Sequence, residues 1–178
     1  MRHTPNAFWR FSLATYADAG VAAACLSLQD RWRADVNLLL YCCWLGRDGR
    51  TLDRQALRMA MAHVKTLQRE VIGPLRCSRR SLKHPPPAVP KVWAKQLKNR
   101  IAAIELDLEY VEHRVLLAAA KRLRPAVRRV DPRTAIAANL DRYLSLLEMP
   151  RTHPDRRHVR RLLLGCAAAL PAPAGADA

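Results

Sequence analysis

The chain has 178 residues, half of them apolar, and 31 Lys and Arg side chains against 15 Asp and Glu give it a formal net charge of +16. Ala and Leu outnumber the β-branched residues, a balance that favours helices, so we predict an all-α multi-helix bundle with one long helix after a proline-rich spacer. No run approaches the roughly 20 apolar residues of a membrane-spanning helix. Asp18 interrupts the N-terminal segment before a secretory signal could form, so we expect a cytoplasmic protein.

The segment from Gly20 to Leu45 contains the two most apolar runs of the chain. The first run has the spacing of one buried helical face, with Val21, Ala24, Cys25 and Leu28. In the second run only Asn37 interrupts an apolar surface. Asp35 before this run is a suitable N-cap, and Gly46 after it is a suitable helix end. The pattern predicts two packed helices, with the second at the centre of the fold.

The same stretch carries a motif pattern that extends back to the N-terminus. The pattern reads FWxFSLxxYxxxGV and then CLxLQxxxxxDVNxLLxxxWLG, and it is carried by Phe8, Trp9, Phe11, Ser12, Leu13, Tyr16, Gly20, Val21, Cys25, Leu26, Leu28, Gln29, Asp35, Val36, Asn37, Leu39, Leu40, Trp44, Leu45 and Gly46. With it the chain resembles a family of small proteobacterial helical proteins of unknown function, over roughly residues 7–120. The resemblance implies a mostly helical fold and supplies no activity, cofactor or catalytic residue.

Periodicity and capping residues predict eight helices along the chain. They lie near residues 6–17, 20–30, 35–46, 51–72, 75–83, 91–123, 134–148 and 155–169, with Thr51 and Thr134 as expected N-caps. Residues 84–90 are proline-rich and predict a stiff spacer. We therefore expect an N-terminal helical core over residues 1–83, the spacer at 84–90, a long helix and a packing helix of the same domain over 91–149, and a C-terminal helix with a disordered tail over 150–178.

Basic side chains concentrate in the middle of the chain, where residues 73–133 carry 15 Lys and Arg against 5 Asp and Glu. Four of them share one helical face and form the basic stripe: Arg76, Arg79, Arg80 and Lys83. Three others, at the start of the long helix, lie where the helix dipole disfavours cations: Lys91, Lys95 and Lys98. Both arrangements cost folding free energy unless an anion compensates. We predict that these seven residues bind an anionic partner; a solvated face or acidic residues of a neighbouring helix are the alternatives.

The long helix has a near-heptad apolar seam, which predicts packing along another long helix. The seam consists of Trp93, Leu97, Ile101, Ile104, Leu108, Val111 and Val115. On the other side the polar residues change from Lys to Glu halfway along. Glu105, Glu109 and His113 are four apart, whereas a ferritin-like metal site needs Glu and His three apart and a second copy. Pairing of these carboxylates with Arg or Lys of a neighbouring helix is therefore the preferred interpretation.

Metal and redox chemistry have little support elsewhere in the sequence. The five cysteines include no C-x-x-C pair, and their odd number favours reduced, buried thiols over disulfides. The chain also carries no nucleophile elbow, P-loop, dinucleotide fingerprint or metalloprotease motif. We expect no metal and no cofactor, and we lean towards a protein that is not an enzyme.

Three functional hypotheses remain. The favoured one is a non-catalytic adaptor that docks RNA, as in a ribonucleoprotein, or an acidic protein surface through residues 76–100. A second is a small-molecule binder or enzyme with a pocket formed by Gln29, Asp30, Asp35 and Asn37, although capping and turn formation explain the last two without a ligand. A third is peripheral membrane association through the C-terminal helix, whose Arg-rich start precedes an apolar run.

Overall fold

The structure is a computed structural model that describes Thr4, residues 6–123 and residues 130–168. Over these residues it is helical without strands, so the predicted all-α fold is confirmed. The helices are α1 Ala7–Tyr16, α2 Ala19–Trp32, α3 Val36–Arg47, α4 Arg54–Leu67, α5 Gly73–Ser81, α6 Lys91–Arg122, α7 Pro132–Leu146 and α8 Arg156–Ala168, and a π-helical turn, Gln68–Ile72, joins α4 to α5. The predicted disordered tail lies outside the described residues.

The chain divides into two compact units, each described separately below. The core unit comprises Asn6–Arg58 together with Leu123 and residues 130–168. The long-helix unit comprises Thr4 and Met59–Arg122. The division falls inside α4 rather than at the proline-rich spacer, which lies within the long-helix unit. The reason is that α5 and α6, on either side of the spacer, pack against each other.

Helix α3 lies at the centre of the core unit, where it packs mainly against α7. Its side chains from Asn37 to Cys43 are all buried, as the apolar run predicts. A Cβ atom on Gly46 would lie 2.6 Å from the backbone nitrogen of Ile136. Glycine is therefore required at this position for α3 and α7 to approach so closely.

A buried amide ties the connection between α3 and α4 to α7. The Nδ2 atom of Asn139 donates to the carbonyl oxygens of Cys42 and Arg50, at 3.1 and 2.9 Å. Its Oδ1 atom accepts from the backbone N–H of Leu52 at 2.7 Å. Because Asn139 is fully buried, these bonds satisfy backbone groups that water does not reach.

Aspartates begin two helices for which threonine caps were expected. Asp53 accepts from the backbone N–H of Ala56 at 2.7 Å, so the helix begins at Arg54 rather than near Thr51. Asp131 accepts from the backbone N–H of Thr134 at 2.9 Å. The two threonine predictions were wrong because a carboxylate nearby is an equally good N-cap.

In the long-helix unit the chain passes Gly73 and Pro74 without leaving helical structure. Proline has no N–H to donate and its ring crowds the preceding turn, and the π turn before it widens the helix at this point. The N–H of Gly73 donates to the carbonyl oxygen of Gln68, and a Cβ on this glycine would lie 2.9 Å from that oxygen. The gap between the helices predicted at 51–72 and 75–83 is therefore absent, and a π turn leads directly into α5.

A membrane-spanning helix was not expected from the composition. In the described part of the chain, no single helix is both long enough and apolar enough to cross a bilayer. Helices α1 and α2 meet such a test only together, and the chain bends by 99° between them.

Candidate functional site

The basic stripe of α5 packs onto the acidic segment of α6. The Nη2 atom of Arg76 lies 2.7 Å from Oε1 of Glu109, and the Nε atom of Arg79 lies 2.8 Å from Oε1 of Glu105. Arg76 also approaches Glu105, at 4.0 Å. Glu105 is only 5% exposed, so its carboxylate depends on these guanidinium groups rather than on water for its stabilisation.

These ion pairs engage Arg76 and Arg79 of the stripe. The hydrogen bond from Arg79 to Glu105 raises the pKa of the guanidinium, which keeps the pair charged. Arg80, near the end of α5, and Lys83, which follows that helix, are both exposed. For Arg76 and Arg79 the structure therefore shows the alternative in which acidic residues of a neighbouring helix compensate the stripe. The basic residues nearer the spacer lie on the surface.

A second polar group lies deeper in the long-helix unit, beside the π turn. Glu112 is fully buried, and its Oε2 atom accepts from Nε2 of Gln68, a residue of the π turn, at 2.6 Å. The neighbouring His113 is 1% exposed. Burial lowers the pKa of this histidine to about 3, so its imidazole is neutral at physiological pH. It does not carry a proton for acid catalysis there.

The carboxylates of this cluster have partners within the protein. Within the described ranges, no group of three or more His, Cys, Asp or Glu side chains is arranged to hold a metal ion. The carboxylates of Glu105, Glu109 and Glu112 instead accept from α5 and from the π turn. For Glu105 and Glu109 this is the pairing with basic residues of a neighbouring helix that the sequence favoured, whereas the partner of Glu112 is the amide of Gln68.

The start of α6 presents a basic and partly aromatic surface. Lys91 and Lys95 are exposed and Lys98 is half-buried. Trp93, between them in sequence, is 63% exposed. Residues 91–104 contain no Asp or Glu, so the helix itself offers these lysines no carboxylate within this segment. We call Lys91, Trp93 and Lys95 the α6 basic end.

The apolar seam of α6 is not the side that packs inside the unit. Leu97, Ile104 and Val111 are 44%, 48% and 36% exposed. The buried side consists instead of Ala94, Glu105, Tyr110, Glu112, His113, Leu116 and Ala120. Charged and hydrogen-bonded side chains are thus buried on α6 together with apolar ones, whereas the seam is only partly covered.

The four residues proposed as a pocket lie at the junction of α2 and α3. The Oδ1 atom of Asp35 accepts from the backbone N–H groups of Asn37 and Leu38, at 2.8 and 3.3 Å. Its own N–H donates to the hydroxyl of Tyr143 at 2.8 Å. Asn37 is buried, Gln29 is half-buried and Asp30 is exposed. Helix capping accounts for the placement of Asp35 without a ligand.

Comparison with known proteins identifies the family of this chain. The profile of DUF2390, described as a protein of unknown function, matches residues 7–116. The chain belongs to the DUF2390 family. Comparison with curated proteins and with solved structures finds no significant match. The matched range contains α1 to α5 and most of α6, so both the ion pairs and the α6 basic end lie inside it.

Beyond the range matched by DUF2390, the structure shows a buried carboxylate that the sequence did not single out. Asp155 is 2% exposed and accepts from Nε1 of Trp32 at 3.0 Å and from Nη1 of Arg31 at 2.5 Å. The Trp32 hydrogen bond, with help from Arg31, lowers the pKa of Asp155. Its position before α8 resembles an ordinary N-cap, and no local pattern indicates partners more than 100 residues away.

The C-terminal helix of this DUF2390 chain is docked in the core unit. Leu162 and Cys166 are fully buried, and α8 packs mainly against α2. Arg161 reaches Asp18, the N-cap of α2, with distances of 2.5 and 2.8 Å to the two carboxylate oxygens. Part of the apolar run that the membrane hypothesis needs is therefore covered by protein, and Leu164 of the same run is 51% exposed.

Proposed function

We propose that this DUF2390 protein is a non-catalytic adaptor that docks single-stranded RNA through the α6 basic end. The observation that supports it is the exposure of Lys91 and Lys95 on a helix terminus where cations are unfavourable. Arg76 and Arg79 have carboxylate partners on α6, so they are not needed for the proposal. Lys83, which is exposed across the spacer, and Lys98 are the further cations available to a bound phosphate chain.

RNA is favoured over an acidic protein surface because of Trp93. Its indole is 63% exposed and lies between two lysines in sequence. Proteins that bind single strands without sequence preference combine such aromatic groups, on which bases stack, with a basic surface that follows the phosphates. We expect little discrimination between RNA sequences, because no side chain in this set is placed to read base edges.

The test is the salt dependence of binding to a fluorescent single-stranded RNA. If about three phosphates are neutralised, log K should fall with log salt with a slope of about −2. The variant Lys91→Gln/Lys95→Gln should bind more weakly and reduce the slope by about 1.4. Trp93→Ala should weaken binding by about 1–3 kcal/mol if a base stacks on the indole.

A matched control removes the same charge elsewhere. Lys65 and Lys121 are exposed lysines on α4 and at the end of α6, and Lys65→Gln/Lys121→Gln lowers the net charge by the same amount. It should leave both affinity and slope nearly unchanged. Equal losses for the two variants would mean that only total charge matters, and binding of an acidic protein without RNA binding would replace the proposed partner.

A further inference from the structure

Three buried cysteines lie together where α2, α3 and α8 pack against one another in the core unit. Cys25, Cys43 and Cys166 are fully buried, one on each helix. The thiols of Cys43 and Cys166 are within hydrogen-bonding distance of each other, and Cys25 lies near both. We call Cys43 and Cys166 the thiol pair.

The docking of α8 brings the thiol pair together. The two cysteines are far apart in sequence, so their contact depends on the packing of α8 against α2 and α3. Leu162 and Cys166, four residues apart, lie on the buried side of α8. A Cβ atom on Gly165 would meet Cγ2 of Val21, so glycine lets α8 approach α2 closely at this point. The two sulfur atoms are therefore in contact only while α8 is docked.

Two thiols in contact can be joined by oxidation, whereas a single buried cysteine only fills space in the core. We propose that Cys43 and Cys166 are a site of reversible oxidation, at which a peroxide forms a disulfide that locks α8 onto α3. The bond ties the helix beyond the range matched by DUF2390 to the central helix inside that range. A role in packing alone predicts that the two sulfur atoms stay unlinked under the same treatment.

The reaction balances with a peroxide as the oxidant. Hydrogen peroxide oxidises one thiol to a sulfenic acid and is itself reduced to water. The second thiol attacks the sulfenic sulfur, so the S–S bond forms while the S–O bond breaks. The hydroxyl group leaves with the proton of the second thiol as another molecule of water. A small dithiol such as dithiothreitol reverses the oxidation by thiol–disulfide exchange.

Access of the oxidant to the pair requires α8 to open. Burial raises the pKa of the Cys43 thiol well above its ordinary range, and a protonated thiol is a poor nucleophile. Cys166 lies in the last described turn of α8, and the end of a helix opens more readily than its centre. We therefore expect Cys166 to be oxidised first, in an open state, and Cys43 to complete the disulfide when α8 docks again.

This site is independent of the proposed RNA surface. The thiol pair belongs to the core unit, whereas Lys91, Trp93 and Lys95 belong to the long-helix unit. None of the experiments on the thiol pair contains RNA, so the failure of one proposal leaves the other intact.

The first experiment treats the folded, full-length Cys77→Ser protein with hydrogen peroxide, blocks the remaining thiols and maps linked peptides by mass spectrometry. Cys77 is exposed, so its removal prevents disulfides between chains. We expect a link between Cys43 and Cys166 that dithiothreitol removes. Oxidation of the cysteines without a link, a link from Cys25 to Cys166 instead, or no oxidation at all would overturn the proposal.

Matched substitutions within the cluster test which thiols are needed. Cys166→Ala should abolish the link, whereas Cys25→Ala removes an equally buried thiol and should keep it. Circular dichroism verifies that both variants are folded, and the peptide map of the Cys77→Ser protein decides the proposal without them.

The effect on α8 is measured by thermal unfolding of the oxidised and reduced forms. The disulfide closes a loop that spans most of the chain, so we expect the oxidised form to unfold at a midpoint about 5–10 °C higher. Dithiothreitol should return the midpoint to that of the reduced protein. An unchanged or lower midpoint would contradict a lock on α8.

The route of access is tested by the rate at which a small disulfide reagent modifies the core thiols of the Cys77→Ser protein. Gly165→Ala places a methyl group against Val21 and should raise this rate by about 10-fold, because it disfavours the docked position of α8. Gly20→Ala is the control at the same helix contact, since its Cβ meets only the flexible end of Arg161, and it should leave the rate nearly unchanged. Equal rates for the two variants would contradict the opening of α8 as the route to the thiol pair.

Discussion

Two carboxylates, Glu105 and Glu112, are buried on a helix whose apolar seam is exposed. A buried carboxylate is costly when its partners are removed, so we expect the guanidinium of Arg79 and the amide of Gln68 to contribute to the stability of the long-helix unit. This differs from an ordinary surface ion pair. Arg69 and Glu70 approach to 2.5 Å with both side chains more than half exposed, and such a pair contributes little.

The variant Arg79→Gln should lower the free energy of unfolding by about 1–3 kcal/mol, because it leaves Glu105 without its closest cation. The control Arg69→Gln removes the same charge from the exposed pair and should cost less than about 1 kcal/mol. Chemical denaturation measures both. Arg79→Gln should not change RNA affinity; a stable variant that loses RNA binding would mean that the stripe itself is the binding site.

His113 predicts a loss of stability in mild acid. Its pKa in the folded chain is about 3, below the ordinary value of about 6.5, so between these values the unfolded chain binds the proton and the folded chain does not. The contribution of neutral His113 to the free energy of unfolding is fully present above about pH 6.5. It falls by about 2 kcal/mol when the pH is lowered to about 5.

Denaturation of His113→Gln at several pH values should show a shallower decline between about pH 7 and pH 5 than the parent protein. The exposed His63 on α4 supplies the control, because His63→Gln should keep the decline of the parent. The comparison uses the pH dependence rather than the absolute stability, which any change of a buried histidine can alter. Equal declines in all three proteins would assign the acid sensitivity to other groups.

The packing of α3 on α7 leaves no space for a side chain at Gly46. Gly46→Ala would place a Cβ atom 2.6 Å from the backbone of Ile136, and a backbone cannot move aside as a side chain can. We expect a loss of about 1–3 kcal/mol in unfolding free energy, despite the better helix propensity of alanine.

Gly20 in α2 is the matched control for this substitution. A Cβ there would meet the end of the Arg161 side chain, and this flexible group can move. Gly20→Ala should therefore be nearly neutral or slightly stabilising, since alanine gains about 1 kcal/mol of helix propensity. Thermal unfolding that shows similar losses for both variants would contradict the backbone contact at Gly46.

The positions of the helices could be predicted from the sequence more completely than the contacts between them. Apolar spacing and caps such as Asp35 act within a few residues, so the helices were found with ends within three residues of those observed when the π turn is counted with α4. The orientation of α6 was not predictable in this way. Its apolar seam suggested the buried side, but Arg76 and Arg79 of α5 bind carboxylates on another side, and which helix supplies the counter-charge is a tertiary choice.

The candidate site was predictable to a similar degree. The clustering of Lys91 and Lys95 on one helix end follows from spacing alone, and their exposure agrees with it. Internal pairing of Arg76 and Arg79 was an alternative that the sequence left open, and the packing of α5 on α6 decides in its favour. Asp155 and its partners Arg31 and Trp32 were missed because they are joined across most of the chain.

For the whole molecule, the dominant electrostatic fact is the net charge of +16. Ion pairs such as Arg79 with Glu105 and Arg161 with Asp18 involve a minority of the basic side chains, since Lys and Arg outnumber Asp and Glu by about two to one. Repulsion among the remaining cations destabilises a compact chain, and salt screens exposed charges more than partly buried pairs. Salt should therefore stabilise this protein rather than weaken it.

We expect the thermal midpoint to rise when NaCl is increased from about 0.01 M to about 0.1 M, which shortens the screening length from about 30 to about 10 Å. A gain of about 1 kcal/mol would correspond to a rise of about 2–4 °C for a chain of this size. Differential scanning calorimetry measures it without added polyanion. The variant Lys91→Gln/Lys95→Gln should start from a higher midpoint at low salt and respond less, because two of the repelling charges are gone. A midpoint that falls with salt would mean that the ion pairs of α5 with α6 and of α2 with α8 outweigh the repulsion, and the exposed lysines would then need no anionic partner to explain them.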